Sequence, residues 1–234
     1  MRTKLTALVA LGATLALGVA VAQAGPVIVA LYTFDGSADA SAFLKARGAK
    51  CTKKTGKGNM PITVGPGTNS CAFRSSVVAD SSDLAPDQEV SAVGTMGART
   101  PKKLQKKAYV AVNVREADNA GWELRVRPIA RSWQLVRDPK GAPGPAVFRA
   151  GKGKFIRTAS KPNALLLRAF DYGTPNTQIL ATVNGKAVVR FTDSGADQPD
   201  GRRNGVATGA KGTGAGTGIV GIFDDVAIKV PNPF

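Results

Sequence analysis

Apolar and polar residues alternate with a period of two along several runs in the second half of the chain. The clearest runs are 109–115, YVAVNVR, and 122–127, WELRVR. This alternation lets a β-strand bury one face and wet the other, whereas a helix needs a period of 3.6. Asn184-Gly185, between two apolar runs, is the strongest short hairpin signal in the chain. The pattern therefore predicts an all-β chain.

The other apolar runs extend this prediction along the chain. The predicted strands are 27–34, 71–78, 88–96, 108–115, 121–127, 132–137, 165–169, 178–183, 186–191, 205–208 and 222–230, with Phe148 and Phe155 on short flanking strands. The run 41–45 predicts a helical turn or a loop. The run 45–58 holds six basic residues and no acidic one, which predicts an exposed loop, and 139–145 is rich in Pro and Gly, which predicts another.

The order of these strands resembles the concanavalin A-like lectin/glucanase superfamily, especially the laminin-G-like modules of secreted bacterial proteins. The resemblance covers roughly residues 72–230. It is carried by the Asn184-Gly185 hairpin, the strand start Gly205-Val206 and the terminal run Phe223-Asp224-Asp225-Val226. It implies an all-β, concanavalin A-like jelly-roll β-sandwich of two antiparallel sheets. Because it lies in strand order, it bears on fold far more than on function.

The first 24 residues predict a secretory signal peptide. Arg2 and Lys4 precede an uncharged apolar run, and residues 22–24, Ala-Gln-Ala, match a cleavage site. We therefore expect a single β-sandwich domain over 25–234, secreted or periplasmic. The alternative is an uncleaved membrane anchor, which the short apolar run and the cleavage site disfavour. No later segment predicts a membrane span.

Cys51 and Cys71 are the only cysteines. Export to an oxidising compartment predicts that they form a disulfide, which stabilises by roughly 3 kcal/mol in the chain-entropy account. The alternative is a metal or redox pair. The 19 intervening residues and the absence of histidine disfavour it.

The chain is strongly basic, with 32 Lys and Arg against 16 Asp and Glu. Removal of Arg2 and Lys4 with the signal leaves 30 against 16, a net charge of +14. Such a surplus predicts attraction to an acidic polysaccharide or to envelope phosphate, and to nucleic acid only through non-specific charge. The alternative is a basic surface that serves solubility alone.

Catalytic residues are not predicted. The chain has no histidine, which is the commonest general base. Alginate lyases with a similar jelly roll typically use a His and Tyr pair, and this chain lacks the His of that pair. The glycanases of the resembling superfamily carry a Glu-x-Asp-x-x-Glu strand, and that spacing does not occur here. We predict a non-catalytic binding protein. A polysaccharide-degrading glycosidase or lyase and a purely structural or adhesive protein are the alternatives.

No cofactor or metal is predicted as resident. Asp193, Asp197 and Asp200 offer oxygen ligands for calcium, but the spacing is not an EF-hand loop and also fits a solvated turn. Asp35 and Asp225 form a second candidate pair. Residues 216–221 match the dinucleotide-binding fingerprint formally, yet they precede a strand where that chemistry needs a helix.

Alternation assigns Trp122 and Trp133 to the core, since they share a face with Leu124 and Leu135. The alternative is a platform for stacking sugars. The opposite face is the candidate ligand site, since the planar fork of Arg binds two oxygens of a carboxylate, sulfate or phosphate. Its predicted solvent-facing, ligand-binding residues are Asn113, Arg115, Glu123, Arg125 and Arg127. The alternative is a basic face whose Arg stems only shield apolar surface.

Overall fold

The computed structural model of this chain describes residues 27–55, 58–76, 87–117, 120–138, 146–158, 160–171, 174–211 and 216–230. The predicted signal peptide, its cleavage site and the predicted loop at 139–145 lie outside the described residues. Those predictions and the domain boundaries remain predictions.

The described residues form strands joined by turns and two short helical segments. The helical segments are α1 (Ser37–Ser41) and α2 (Lys102–Gln105). The strands are β1 (Val27–Tyr32), β2 (Phe43–Arg47), β3 (Cys51–Lys53), β4 (Met60–Val64), β5 (Ser70–Ser75), β6 (Gln88–Met96), β7 (Ala108–Ala117), β8 (Ala120–Arg127), β9 (Ser132–Asp138), β10 (Ala146–Lys152), β11 (Asn163–Phe170), β12 (Thr177–Val183), β13 (Lys186–Asp193), β14 (Arg203–Ala210) and β15 (Val220–Val230).

These strands build two antiparallel sheets that face each other. One has eight strands in the order β13-β12-β11-β6-β15-β4-β3, with β1 also paired to β15. The other has seven strands in the order β10-β9-β8-β7-β14-β5-β2. The predicted all-β sandwich of two antiparallel sheets is confirmed.

The core lies between the sheets and follows the predicted alternation. Val110, Val112 and Val114 of β7 are fully buried in it. Trp122 is 1% exposed and Trp133 is 9% exposed, and both belong to this core. The prediction that the tryptophans are core residues is confirmed, and it removes both from a sugar-stacking role.

The hairpin at Asn184-Gly185 is confirmed between β12 and β13. Both residues have positive φ, 51° and 77°, as a two-residue turn matching the strand twist requires. Asn184 also holds the neighbouring strand, because its Oδ1 accepts a 2.9 Å hydrogen bond from the backbone N–H of Ala164.

The prediction of an exposed loop over 45–58 is wrong in part. β2 ends and β3 lies within that range, and the short β4 that follows was not predicted. In β4 the buried residues Met60, Ile62 and Val64 alternate with half-buried ones. Only six residues separate the glycines on either side of it, Gly58 and Gly65, too few for a clear period. Phe155 also lies in a turn and not on a strand.

The disulfide between Cys51 and Cys71 is confirmed, with the Cα atoms 5.8 Å apart. Cys51 belongs to the eight-stranded sheet and Cys71 to the seven-stranded sheet, so the bond ties the two sheets together. Separately, no helix among the described residues has the length and apolar character to cross a bilayer.

Candidate functional site

The outer face of the seven-stranded sheet carries a row of small residues between two arginines. Register places Arg47 opposite Ala72 and Arg125 opposite Ala111, while Ala207 pairs with both alanines. The three alanines are fully buried. The row therefore forms a low floor across β5, β14 and β7, flanked by a long basic side chain at each end.

Both arginines reach the same carboxylate, that of Glu123 on β8. Arg47 Nη2 donates to Glu123 Oε2 at 2.5 Å, and Arg125 Nε donates to Glu123 Oε1 at 2.5 Å. β2 lies four strands from β8, about 19 Å in a flat sheet, which is beyond the reach of one Arg and one Glu side chain. The sheet must therefore curl towards this side, and we call it the concave face.

Arg47, Arg125 and Glu123 together form what we call the Glu123 clamp, and their mutual electrostatic interactions fix the charge state of each. Burial alone raises the pKa of Glu123, which is 6% exposed, but Arg125 and Arg47 outweigh it and lower that pKa to about 2. The Glu123 carboxylate in turn raises the pKa of Arg47. Glu123 is therefore ionised at neutral pH, and both of its oxygens are engaged by guanidinium groups.

Tyr109 forms the apolar centre of the same face. It packs with Ala72, Ala111 and Ala207 in a small cluster separate from the main core, and it is 2% exposed. The guanidinium of Arg125 lies over its ring, 4.9 Å from the centroid. Burial raises the pKa of the Tyr109 hydroxyl, which keeps it protonated. Arg125 therefore covers an aromatic surface while it neutralises Glu123.

Two further carboxyl groups border the clamp. Burial raises the pKa of Glu116, which Asn113 contacts through a 3.1 Å hydrogen bond from Nδ2 to Oε2. Burial likewise raises the pKa of Asp138 on β9, with Arg47 acting in the opposite direction. The concave face thus combines one carboxylate of depressed pKa with two carboxyl groups of raised pKa.

Polar atoms without partners are concentrated around this clamp. They are buried and have no hydrogen-bond partner among the described residues. On the concave face they are Arg47 Nε, Arg74 Nε, Asn113 Oδ1, Arg127 Nε, Ser132 Oγ and Asp138 Oδ1. Unpaired buried donors and acceptors are rare in folded proteins, so each of these atoms calls for an explanation, and a polar group that binds here is one.

Four of the five predicted ligand-binding residues share the concave face, and their exposure differs from expectation. Asn113, Glu123, Arg125 and Arg127 alternate with core residues on β7 and β8 as predicted. Asn113 and Glu123 are buried, however, and the two arginines are half-buried. Side chains arriving from β2 and β5 cover this part of the sheet.

Arg115 is not on that face, so its predicted solvent-facing position is wrong. A bulge after Val114 interrupts the pairing of β7 with β8, and Arg115 has a positive φ of 54°. The bulge turns the side chain into the end of the sandwich, where it is 2% exposed. Its guanidinium donates to Asp87 Oδ1 (3.0 Å), Asp171 Oδ2 (2.8 Å), Thr177 Oγ1 (2.7 Å) and the Pro199 carbonyl (3.3 Å).

The carboxylates proposed for calcium have other partners. Arg137 binds both oxygens of Asp197 at 2.9 Å and one oxygen of Asp193 at 3.1 Å. Within the described ranges, no group of three or more Asp, Glu or Cys side chains is placed to hold a metal ion. Of the second candidate pair, Asp35 and Asp225, each lies close enough to Asp224 to act on it as a charge: after burial, both help to raise the pKa of Asp224.

Sequence reasoning missed several residues of the concave face, mainly Arg47, Arg74, Tyr109 and Asp138. Tyr109 was predictable from the sequence, because it precedes Ala111 and Asn113 in the same alternation. Arg47 was not, because it lies in the segment predicted as a loop and meets Glu123 only through the curvature of the sheet. No local signal encodes a contact between residues 76 positions apart.

Comparison with solved structures shows which fold this sandwich shares. An endo-1,3-β-glucanase from Streptomyces sioyaensis matches with a TM-score of 0.58, covering 89% of this chain and 98% of that one at 12% identity. The carbohydrate-binding module CBM66 from Bacillus subtilis matches with a TM-score of 0.55, covering 80% and 95% at 12% identity. The chain has a concanavalin A-like lectin/glucanase fold. The carbohydrate recognition domain of Emp46p also shares it, with a TM-score of 0.54, coverage of 81% and 88%, and 9% identity.

At these identities the likeness establishes the concanavalin A-like fold and no more. No family model matches the sequence, and no curated protein matches it. The concanavalin A-like fold predicted from strand order is therefore confirmed, and the laminin-G-like subtype remains a prediction. The same fold carries a binding module, a lectin domain and a hydrolase, so function has to be argued from the concave face.

Proposed function

We propose that this protein binds carbohydrate through the concave face without cleaving it. The observation that carries the proposal is the set of buried, unpartnered polar atoms on the same face as the Glu123 clamp. A sugar presents hydroxyl groups that both donate and accept hydrogen bonds, as this mixed set of Arg, Ser, Asn and Asp atoms requires.

The clamp favours a hydroxyl-rich ligand on this face over a simple polyanion. Arg47 and Arg125 are both paired with Glu123 at 2.5 Å, so a ligand anion would compete with a carboxylate already in place. Arg74 and Arg127 each keep a buried Nε donor without a partner. An acidic sugar polymer remains compatible where its hydroxyl groups enter the face and its charges stay outside.

The solved structures that share the fold support this proposal by their names alone, since they include a carbohydrate-binding module and a carbohydrate recognition domain. The predicted export signal and the disulfide agree with a role in the periplasm or outside the cell, where glycans are abundant.

A glycan array tests the proposal directly. We expect the protein to bind one glycan class, and the Arg127→Gln variant to bind it about tenfold more weakly, because a charge-assisted hydrogen bond is lost. Arg99→Gln is the matched control, since Arg99 is exposed in a turn after β6 and makes the same change of charge. Absence of binding across the array, or equal loss in both variants, would count against the proposal.

Glycoside hydrolysis is the second candidate, favoured by the separated pKa values of the carboxyl groups. A raised pKa suits Glu116 as an acid and a depressed pKa keeps Glu123 ionised, the division of roles that such hydrolysis uses. Against it, both oxygens of Glu123 are held by arginines. Incubating the bound glycan with the protein and with Glu116→Gln decides: cleavage by the parent alone would replace binding with catalysis as the function.

A further inference from the structure

The opposite side of the molecule, the outer face of the eight-stranded sheet, carries a second ordered set of charges. Pairing aligns Lys229 with Glu89, Glu89 with Arg168, Arg168 with Leu180 and Leu180 with Arg190. These five residues, which we call the Arg190 row, cross β15, β6, β11, β12 and β13 at right angles to the strands. The row spans about 19 Å at the usual strand spacing.

One buried carboxylate anchors one end of the Arg190 row. Glu89 is 1% exposed, and its two oxygens are divided between neighbours. Arg168 Nε donates to Glu89 Oε2 at 2.7 Å, and Lys229 Nζ lies 3.1 Å from Glu89 Oε1. The guanidinium of Arg168 also lies over the ring of Phe170, 5.1 Å from its centroid, which restrains the side chain further. The guanidinium of Arg168 is therefore held in a defined position before any ligand arrives.

The other end of the row is built differently. Arg190 is exposed and has no hydrogen-bond or ion-pair partner among the described residues. Leu180 separates it from Arg168, so the two arginines lie on either side of one apolar residue. With three cations and one carboxylate, the row keeps a surplus of two positive charges.

A cavity of about 280 Å³ lies at this end of the row. Arg168 and Arg190 line it from opposite sides, with Leu180 between them. Gln178 and Thr192 add an amide and a hydroxyl from the neighbouring row, where they pair with each other. The volume is close to that of the smallest ligand pockets, about 300 Å³, and suits one charged group with the sugar ring that bears it.

We propose that this cavity is a second binding subsite, and that it takes a single oxyanion carried by a sugar: a carboxylate, sulfate or phosphate group. Arg190 supplies the free planar fork that binds two oxygens of such a group, and Arg168 supplies a preorganised second cation. Leu180 packs against the apolar edge of the ring. Gln178 and Thr192 hydrogen-bond its hydroxyl groups.

This subsite is independent of the function proposed for the concave face, because it lies on the other sheet and shares no residue with the Glu123 clamp. The two faces look in opposite directions. A charged polysaccharide bound along the Arg190 row therefore leaves the concave face open, and one molecule is able to bridge two glycan strands.

Side-chain NMR of the arginine Nε–Hε groups tests the subsite with defined probes. The probes are glucuronic acid, glucose 6-sulfate and glucose 6-phosphate, with glucose as the neutral control. We expect the charged sugars to shift the signals of Arg190 and Arg168 in a saturable way and glucose to leave them unchanged. Comparison of the three charged probes tells which oxyanion is preferred.

Variants separate this subsite from the concave face and from general charge. We expect Arg190→Gln to weaken the charged probe about tenfold, while Arg127→Gln on the concave face and Arg99→Gln at the other end of β6 leave it unchanged. Equal shifts at Arg99 and Arg190, or unchanged affinity in Arg190→Gln, would overturn the subsite. Failure of the glycan array alone would overturn only the concave-face proposal.

Discussion

The two outer faces of the sandwich each neutralise a buried glutamate with two basic side chains, but these side chains come from different parts of the sheet. Each buries one glutamate and divides its oxygens between two basic side chains, Glu123 on the concave face and Glu89 on the Arg190 row. The cations of Glu89 come from the two adjacent strands, directly opposite it in register. One cation of Glu123 comes from its own strand and the other from β2, four strands away.

This difference shows which part of the structure each arrangement depends on. The Glu89 pairs need only the local register of three strands, so they hold wherever the sheet forms. The Glu123 clamp needs the curl of the whole seven-stranded sheet. The Glu123 clamp therefore depends on the curvature of the whole sheet, whereas the Arg190 row depends on strand pairing alone. We expect the two faces to respond differently to the same kinds of change.

The largest expected effect comes from removing the buried ion pairs of Arg115, which join the two sheets. Arg115→Met removes a buried guanidinium that stands on the seven-stranded sheet and binds Asp87 and Asp171 beside the eight-stranded one. We expect a loss of roughly 3–5 kcal/mol in unfolding free energy, because two carboxylates lose their buried partner. Urea denaturation measures it, with Arg99→Met as the control. A loss below about 1 kcal/mol would mean that Arg115 does not couple the sheets.

Acid should weaken the Glu123 clamp next. The pKa of Glu123 is about 2 in the folded protein against 4.5 for an ordinary glutamate, so its contribution is present above pH 4.5 and is lost as the pH falls from 4.5 towards 2. This corresponds to about 3 kcal/mol. The raised pKa of Glu116 acts in the opposite sense, favouring the folded state at low pH.

Glu123→Gln isolates this contribution from the rest of the pH dependence. We expect the variant to be less stable at pH 7 and to lose much less further stability between pH 4.5 and 2 than the parent. Asp35→Asn, a change at an exposed carboxylate, serves as the control. Parallel stability curves for the parent and Glu123→Gln over that interval would show that the clamp does not depress the pKa of Glu123.

A smaller effect compares the distant cation of one face with the adjacent cation of the other. We expect Arg47→Ala to cost about 1.5 kcal/mol and Lys229→Ala less than about 1 kcal/mol, since the first removes a charge-assisted bond at 2.5 Å and the second a longer pair at 3.1 Å. Thermal unfolding measures both. Equal losses would indicate that the curl of the sheet adds nothing to the clamp.

The smallest expected effect is the salt dependence of sugar binding on the concave face. Its two central arginines are neutralised by Glu123, so we expect the affinity to change less than about twofold between 50 and 500 mM NaCl. Binding of glucose 6-sulfate at Arg190 should fall about tenfold over the same range. Isothermal titration with each probe measures both affinities. A steep dependence on the concave face would return the arginines there to a role in binding a polyanion.

Local pattern was enough to predict the strands whose two faces differ clearly. β6, β8, β12 and β13 were predicted close to their observed bounds because apolar residues recur along them between turn signals. β2 and β3 were missed because basic residues and glycine dominate their segment. Their place in the sheets depends on pairing with β5 and β4, partners that the segment itself does not reveal.

The candidate site was predictable only as far as the alternation holds. It placed Glu123, Arg125 and Arg127 on one face, and it failed at Arg115, where a bulge breaks the period. The partner of Glu123 on β2 and the burial of the face follow from curvature, which is a property of the whole sheet. The Arg190 row likewise needs the register of five strands, and no run of sequence contains it.

The pairing of β1 with β15 has a mechanical consequence. Val27 pairs with Val230, so the two outer ends of the described chain lie side by side at one end of these two strands. Tension between those two points loads the β1–β15 hydrogen bonds one after another, as in a zipper, and peels β1 away at low force. Tension along one strand would instead load many bonds in parallel. A pull applied at both ends thus detaches β1 first, while the disulfide still joins β3 to β5.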